Sequence, residues 1–164
     1  MKEYLDIVDE KGQPTGEIVD RETAHAKGIL HRTSHVWIAR KRDGKVQILL
    51  QKRAKHKSSF PGCYDISAAG HIEAGDDALP AACRELREEL GIMAEPDRLI
   101  CVGQHRGQYQ AVFHGLPFRD RELSSVYIYQ GPVREEDLVL QPEEVESVRW
   151  MDWQECRRAV HAGT

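Results

Sequence analysis

The stretch Gly70-His71-Ile72-Glu73-Ala74-Gly75-Asp76-Asp77-Ala78-Leu79-Pro80-Ala81-Ala82-Cys83-Arg84-Glu85-Leu86-Arg87-Glu88-Glu89-Leu90-Gly91-Ile92 decides how the chain is read. On 3.6 residues per turn, Asp77 to Leu90 forms an amphipathic helix with Leu79, Cys83, Leu86 and Leu90 on one core-facing stripe. Asp76 or Asp77 can cap its N-terminus, and Pro80 lies in the first turn, where a missing N–H costs little. Gly91 stands where a helix end favours a left-handed residue. Glu85, Glu88 and Glu89 lie on a second face at i, i+3 and i+4. Their charges repel one another, and Arg84 and Arg87 lie beside the cluster rather than within it. A divalent cation relieves the repulsion better, and Mg²⁺ and Mn²⁺ prefer oxygen ligands. Three acids alone would read as a solvated helix face; the residues around them reverse that reading.

The spacing is Gly70, five residues, Asp76, seven residues, then Arg84-Glu85-Leu86-Arg87-Glu88-Glu89-Leu90-Gly91-Ile92. This resembles the Nudix box, G-x5-E-x7-R-E-U-x-E-E-x-G-U, with U a bulky apolar residue. Every defined position matches except Asp76, which stands where the family has Glu. The resemblance implies an α/β/α sandwich with a mixed central sheet, the box forming loop, helix and loop. It also implies roles. Glu85, Glu88 and Glu89 would hold Mg²⁺ or Mn²⁺, joined by the Gly70 carbonyl and with Glu122 as an additional ligand or base. The metal would polarise a diphosphate and acidify the attacking water. Glu85 is the foremost candidate to accept that water's proton, and Arg84 would orient a glutamate. Asp76, one methylene short, is expected to be structural.

Outward from the box, the chain alternates strand and turn signals. Strands are expected at Leu5 to Val8, Glu17 to Val19, Val36 to Arg40, Val46 to Lys52, Tyr64 to Ala69, Leu99 to Gln104, Ala111 to His114, Ser124 to Gln130 and Ser147 to Met151. Asp43-Gly44 is a hairpin signal. Short helices are expected at Arg21 to Lys27 and Trp153 to Val160. The class is α+β. The 164 residues, 40% hydrophobic and 30% charged, suit one globular domain spanning 1–164. No apolar run nears the ~20 residues that span a bilayer, and residues 1–9 do not read as a secretory signal. A cytoplasmic protein with no membrane partner is the default expectation. The net charge of -4 argues against a general nucleic-acid binder. Cys63, Cys83, Cys101 and Cys156 have no zinc spacing and are assigned no function. Lys52, Arg53, Lys55, His56 and Lys57 form a basic run suited to a polyanion.

Leu30 to Trp37, Leu49 to Arg53, Phe60-Pro61-Gly62 and Ser67 to His71 look like one branch of the family, near type I isopentenyl-diphosphate isomerase. By that resemblance Arg53 and Lys57 grip the diphosphate, and His25, His31 and His71 match the isomerase's metal-binding histidines, with Asp120 and Glu122 for its acidic pair. A second metal site there is weighed against plain core hydrogen bonding by His31 and His71. His35, His56, His105, His114 and His161 are read as surface or packing residues. Trp37, Tyr109 and Phe113 are candidates to stack a base, against the commoner reading of core aromatics. The isomerase's catalytic cysteine is here Ala69, which supplies no thiol. A complete set of box acids together with that loss points to a hydrolase on an isomerase-like frame. The expected substrate is a nucleoside diphosphate derivative or a similar small diphosphate. The alternatives are an isomerase of an isoprenoid diphosphate and a non-catalytic nucleotide-binding module. Specificity is expected in a variable segment, His105 to Glu122, and a further acid among Glu143, Glu144 and Glu146.

Overall fold

The computed structural model describes residues 2–163. In chain order the elements are β1 Tyr4–Val8, β2 Pro14–Asp20, α1 Arg21–Lys27, β3 His31–Arg42, β4 Lys45–Arg53, β5 Tyr64–Asp65, β6 Ala68–His71, α2 Ala78–Leu90, β7 Leu99–Phe113, β8 Leu116–Tyr129, β9 Val145–Asp152 and α3 Trp153–Ala162. Strands β1 and β2 pair with each other. The other seven form a mixed sheet ordered β5-β4-β3-β8-β7, with β6 added to β3 and β9 to β4. Only β3 and β8 run parallel among these pairs. The α+β class and the mixed sheet agree with the sequence reading. None of the helices among the described residues is long and apolar enough to cross a membrane.

Alternation along β3 sets the layers. Val36 and Ile38 point to the side covered by α2, where Ala82, Leu86 and Leu90 close the core with Leu49, Tyr127 and Tyr129. Leu79 and Cys83, expected on that stripe, are only partly buried beside it. His31, Thr33 and His35 point to the opposite side, where α1 brings His25 against His31.

Several local readings need correction. Neither acid caps α2 through its side chain. Asp77 is the N-cap residue but makes no side-chain bond to the helix, and the Asp76 carboxylate turns to Arg84 Nη1 at 3.3 Å. The strand expected at Tyr64 to Ala69 is broken in two at Ile66-Ser67. The variable segment His105 to Glu122, with a strand expected only at Ala111 to His114, is continuous ribbon: β7 and β8 pair without interruption from Gly103 to the turn, and His114 is a turn residue. The ribbon escaped the pattern because it carries polar residues on both faces, so the apolar alternation that marks a half-buried strand is absent.

The break at Ser67 has a cause. β3 pairs with β6 over Thr33 to Val36 and with β4 over Ala39 to Arg42. At this fork Ile38 and Leu49 lose their direct partners. The buried Ser67 hydroxyl replaces them, accepting from Ile38 N–H at 2.8 Å and donating to the Leu49 carbonyl at 2.5 Å. Ser67→Ala leaves both groups buried and unsatisfied. It should cost about 2 kcal/mol or more, measured as a lower urea midpoint at unchanged m-value; a loss below a few tenths would contradict this account of the fork.

Candidate active site

A cleft of about 420 Å³ opens where α2, the ends of β3 and β6, the β4–β5 loop and the base of the β7–β8 ribbon meet. Small-molecule sites have this size. Glu85, Glu88 and Glu89, Arg84, Gly70, Glu122, Arg53, Lys57, His25 and His71 all line it. His31 sits behind them, fully buried.

The glutamates are less alike than helical spacing suggests. Glu88 is exposed, Glu85 is half-buried and Glu89 is 5% exposed. Glu89 reaches into the sheet fork. Its Oε2 accepts from Gln51 Nε2 at 2.6 Å and its Oε1 from Ala69 N–H at 3.3 Å, while Gln51 also donates to the Ser67 carbonyl at 3.0 Å. Burial pushes the Glu89 carboxyl up to about 8, against the lowering effect of the Gln51 bond, and the neighbouring Glu85 adds repulsion. Burial also raises Glu85. Gly70 is where Glu85 passes: a Cβ on this residue would overlap the Glu85 carboxylate. Arg84 orients the group, its Nη2 donating to the His71 carbonyl at 3.1 Å and to Glu85 Oε1 at 3.3 Å.

A second cluster lies on the other side of β6. Ligand atoms of His25, His31, His71 and Glu122 all fall within 4.8 Å of one another. The sheet assembles them: parallel pairing sets His31 opposite Glu122, and antiparallel pairing sets His71 opposite Thr33. His31 Nδ1 lies 2.8 Å from the Ile29 carbonyl. A carbonyl can only accept, so Nδ1 carries the proton and Nε2 presents a lone pair. That Nε2 is 3.6 Å from Asp120 Oδ1, as is His25 Nε2. All three atoms are buried with no hydrogen-bond partner among the described residues. Burial, and then repulsion from His71, pushes His25 down to about 4, so it too is neutral near pH 7. Burial and the adjacent Asp120 push the Glu122 carboxyl up to about 9. The His31 Nε2 lone pair facing a carboxylate oxygen that also lacks a partner is what a cation relieves.

The basic residues lie in the same cleft, each already engaged. Arg53 donates to the Ser59 carbonyl at 2.9 Å and faces Asp65 at 3.3 Å, and Lys57 is ion-paired with Glu144. Glu146 instead faces Lys52 and Lys55 away from the cleft lining. Trp37, Tyr109 and Phe113 are also absent from that lining. Several lining residues escaped the sequence reading. His35, taken as surface or packing, bonds Ser124 at 3.2 Å. Glu3 lies 3.4 Å from His71 Nδ1, and Asp65 and Phe118 complete the wall. Only the alternation of His31, Thr33 and His35 in the sequence could have flagged any of them.

A family model described as the NUDIX domain matches residues 30–163. An uncharacterized Nudix hydrolase of Clostridium acetobutylicum is 38% identical over 144 residues, 88% of this chain and 67% of that protein. A protein of Aliivibrio fischeri named isopentenyl-diphosphate Delta-isomerase is 31% identical over 158 residues, 95% of this chain and 82% of that protein. Among solved structures, DR0079 of Deinococcus radiodurans superposes with a TM-score of 0.69 at 22% identity, covering 98% of this chain and 90% of that one.

The buried glutamate gives a pH test. With its pKa raised from 4.5 to about 8, folded Glu89 holds a proton that the unfolded chain has released between those values. Its contribution to stability therefore falls as pH rises from about 4.5 and levels off above about 8. In metal-free protein, Glu89→Gln should flatten the fall in melting temperature across pH 5 to 8. Added Mg²⁺ or Mn²⁺ should stabilise wild type more at pH 8 than at pH 5.5. Parallel wild-type and variant profiles would remove Glu89 as the titrating group.

Proposed function

The chain belongs to the Nudix family, and from that premise we propose that it is a metal-dependent hydrolase that cleaves a diphosphate linkage in a nucleoside diphosphate derivative or a similar small molecule. The convergence of Glu85, Glu88 and Glu89 with Arg53 and Lys57 on one cleft carries this reading. Acids to hold a cation face bases to hold an anion across a single cavity.

The residues fit a hard divalent ion. Glu85, Glu88, Glu89 and the Gly70 carbonyl offer oxygen donors only, as Mg²⁺ and Mn²⁺ prefer, and the raised carboxyls of Glu85 and Glu89 mark a site that favours a compensating charge. Such an ion supplies charge neutralisation on the phosphates and acidifies the attacking water. Arg84 fixes Glu85 so that its carboxylate faces the cleft. Glu85, half-buried and raised, accepts the proton from water. Arg53 and Lys57 hold the phosphates once they give up Asp65 and Glu144. His25, His31, His71 and Glu122 would hold a second divalent ion, with Ile29 and Glu3 orienting two of the imidazoles.

One observation favours a second reading, isoprenoid diphosphate isomerisation: the histidine cluster occurs here complete, and a relative carries the isomerase name. Against it stands Ala69, which gives Glu89 its backbone N–H but whose methyl has no acidic proton to transfer. A purely binding module is disfavoured because the box acids are intact.

Purified protein should release phosphate or a monophosphate from one or more members of a panel of nucleoside di- and triphosphates and dinucleotide diphosphates, only with Mg²⁺ or Mn²⁺. Glu88→Gln and Glu89→Gln should each lower kcat by about 10²-fold or more, the scale for groups acting on developing charge. Conversion of isopentenyl diphosphate without phosphate release would instead establish isomerisation. Tight nucleotide binding with no turnover of any compound would establish the binding module.

A further inference from the structure

Two of the three α2 acids are held in place from several sides. The helix end that carries Glu89 is fastened to the segment leading into β9: Gln141 N–H donates to the Glu89 carbonyl at 3.1 Å and Val139 N–H to the Leu90 carbonyl at 3.0 Å. The Glu89 carboxylate is held too, with Gln51 Nε2 on one oxygen and the Ala69 N–H on the other. Both donors ride on the sheet. Gln51 is in register with Asp65 on one side of β4 and with Val148 on the other, and Ala69 is in register with His35 on β3. Glu85 is confined by its close approach to Gly70 and by Arg84, while Glu88 is exposed.

Gln51 is the unexpected member of this arrangement. Alternation along β4 puts it on the face of Leu49, which α2 covers and where an apolar side chain belongs. It is 4% exposed, and an amide so placed is costly unless its polar atoms find partners. The Ser67 carbonyl can only accept, so the Gln51 atom facing it at 3.0 Å is the NH₂ nitrogen. That fixes the orientation of the amide. One N–H serves Ser67 and the second serves Glu89 at 2.6 Å, the shorter of the two bonds. Mending the sheet fork takes only the first. The second acts on the acid.

We propose that Gln51 is a positioning residue that holds the Glu89 carboxylate rigid and so makes the acid site select Mg²⁺ over Ca²⁺. The inference rests on the diphosphate hydrolase reading, in which these acids hold the divalent ion. Mg²⁺ is the smaller ion and demands near-ideal octahedral geometry, whereas Ca²⁺ takes more oxygens in variable arrangements and often both oxygens of one carboxylate. Selection between them depends on how far the ligands can move. A carboxylate with a sheet-borne N–H on each oxygen cannot swing without giving up a bond. Loss of the Gln51 N–H gives Glu89 that freedom, and the larger ion gains most from it.

Calorimetric titration of the metal-free protein with MgCl₂ and with CaCl₂, at constant pH and ionic strength, tests this. Both ions prefer oxygen, so the imidazole cluster competes little for them. Glu88→Gln should weaken both, which places the binding at α2. Wild type should bind Mg²⁺ more tightly than Ca²⁺. In Gln51→Met, which keeps the side-chain length and loses the N–H groups, the ratio of Mg²⁺ to Ca²⁺ affinity should fall about tenfold or more, the scale on which a hydrogen-bond partner of a metal ligand acts. Lost packing or the lost Ser67 bond alone would lower the melting temperature and leave that ratio where it was. Should Gln51→Met fail to fold, Gln51→Asn carries the test, because it keeps an amide but draws it a methylene back from Glu89. A folded variant with an unchanged ratio overturns the proposal. So does a wild type that binds Ca²⁺ as tightly as Mg²⁺, or a Glu88→Gln variant that binds both ions as wild type does. Absence of metal-dependent phosphate release from every nucleotide would defeat the hydrolase reading, while the ratio, measured without substrate, would still decide the role of Gln51.

Discussion

The Glu89 carboxylate, buried in a fork of the sheet, is the constraint that organises this molecule. An ionised carboxylate away from water is costly unless it is paired and hydrogen-bonded. The fold supplies Gln51 Nε2 and the Ala69 N–H, and nothing cationic. Each supplier depends on the fork. Gln51 can reach Glu89 because β4 diverges from β3 there, and the Ala69 N–H faces inward because β6 begins immediately after Ser67. The same Gln51 amide holds the Ser67 carbonyl, so the residue that mends the fork and the acid that occupies it share one partner. Glu85, close by and also raised by burial, leaves the pair short of positive charge. Such a pair shares protons when alone and would release them to solvent on binding a divalent ion.

Strand β6 then divides the site. Gly70 and His71 are neighbours on a strand and so face opposite sides. On the Gly70 side, the absence of a Cβ lets Glu85 enter. On the His71 side, the imidazoles meet Glu122. Two chemically different donor sets, one of oxygen and one mostly of nitrogen, are thereby held a residue apart in sequence but separated by a backbone. The parallel pairing of β3 with β8 is what makes the second set possible, because it alone places His31 opposite Glu122.

Much of this was legible in the residues. The α2 helix declares itself by its apolar stripe and by Gly91, which holds φ 73° at the helix end. Asp43-Gly44 turns as its composition demands, both residues at positive φ. Glu85, Glu88 and Glu89 point to a cation only together with the residues around them, from Gly70 to Ile92. What stayed hidden depends on long-range pairing. Nothing local distinguishes Ser67 as a replacement for two strand bonds. The turn at His114-Gly115 lacks the Asn or Asp that usually announces φ > 0. Asp76 has the composition of a helix cap, yet Arg84 offers its carboxylate a charged partner that the helix terminus cannot match. His35 and Phe118 reach the cleft through strand register, which no single segment encodes.

Hydrolysis and isomerisation make the same demand on the anion end of such a cleft and differ in where a proton must go. Moving a double bond needs a proton donor over carbon. Splitting a diphosphate needs an acceptor beside the water that attacks phosphorus. Between the two donor sets this chain has the methyl of Ala69 and the bare backbone of Gly70, neither of which has an acidic proton to give. On the α2 side of the cleft, burial raises the carboxyls of both Glu85 and Glu89. Across β6, Glu122 is raised by burial and by Asp120, and Asp120 faces the His31 Nε2 lone pair rather than an N–H group. Both halves of the cleft therefore hold carboxyls raised by burial, and what divides them is the donor set, oxygen at Glu85 and Glu89 and mostly imidazole nitrogen across β6.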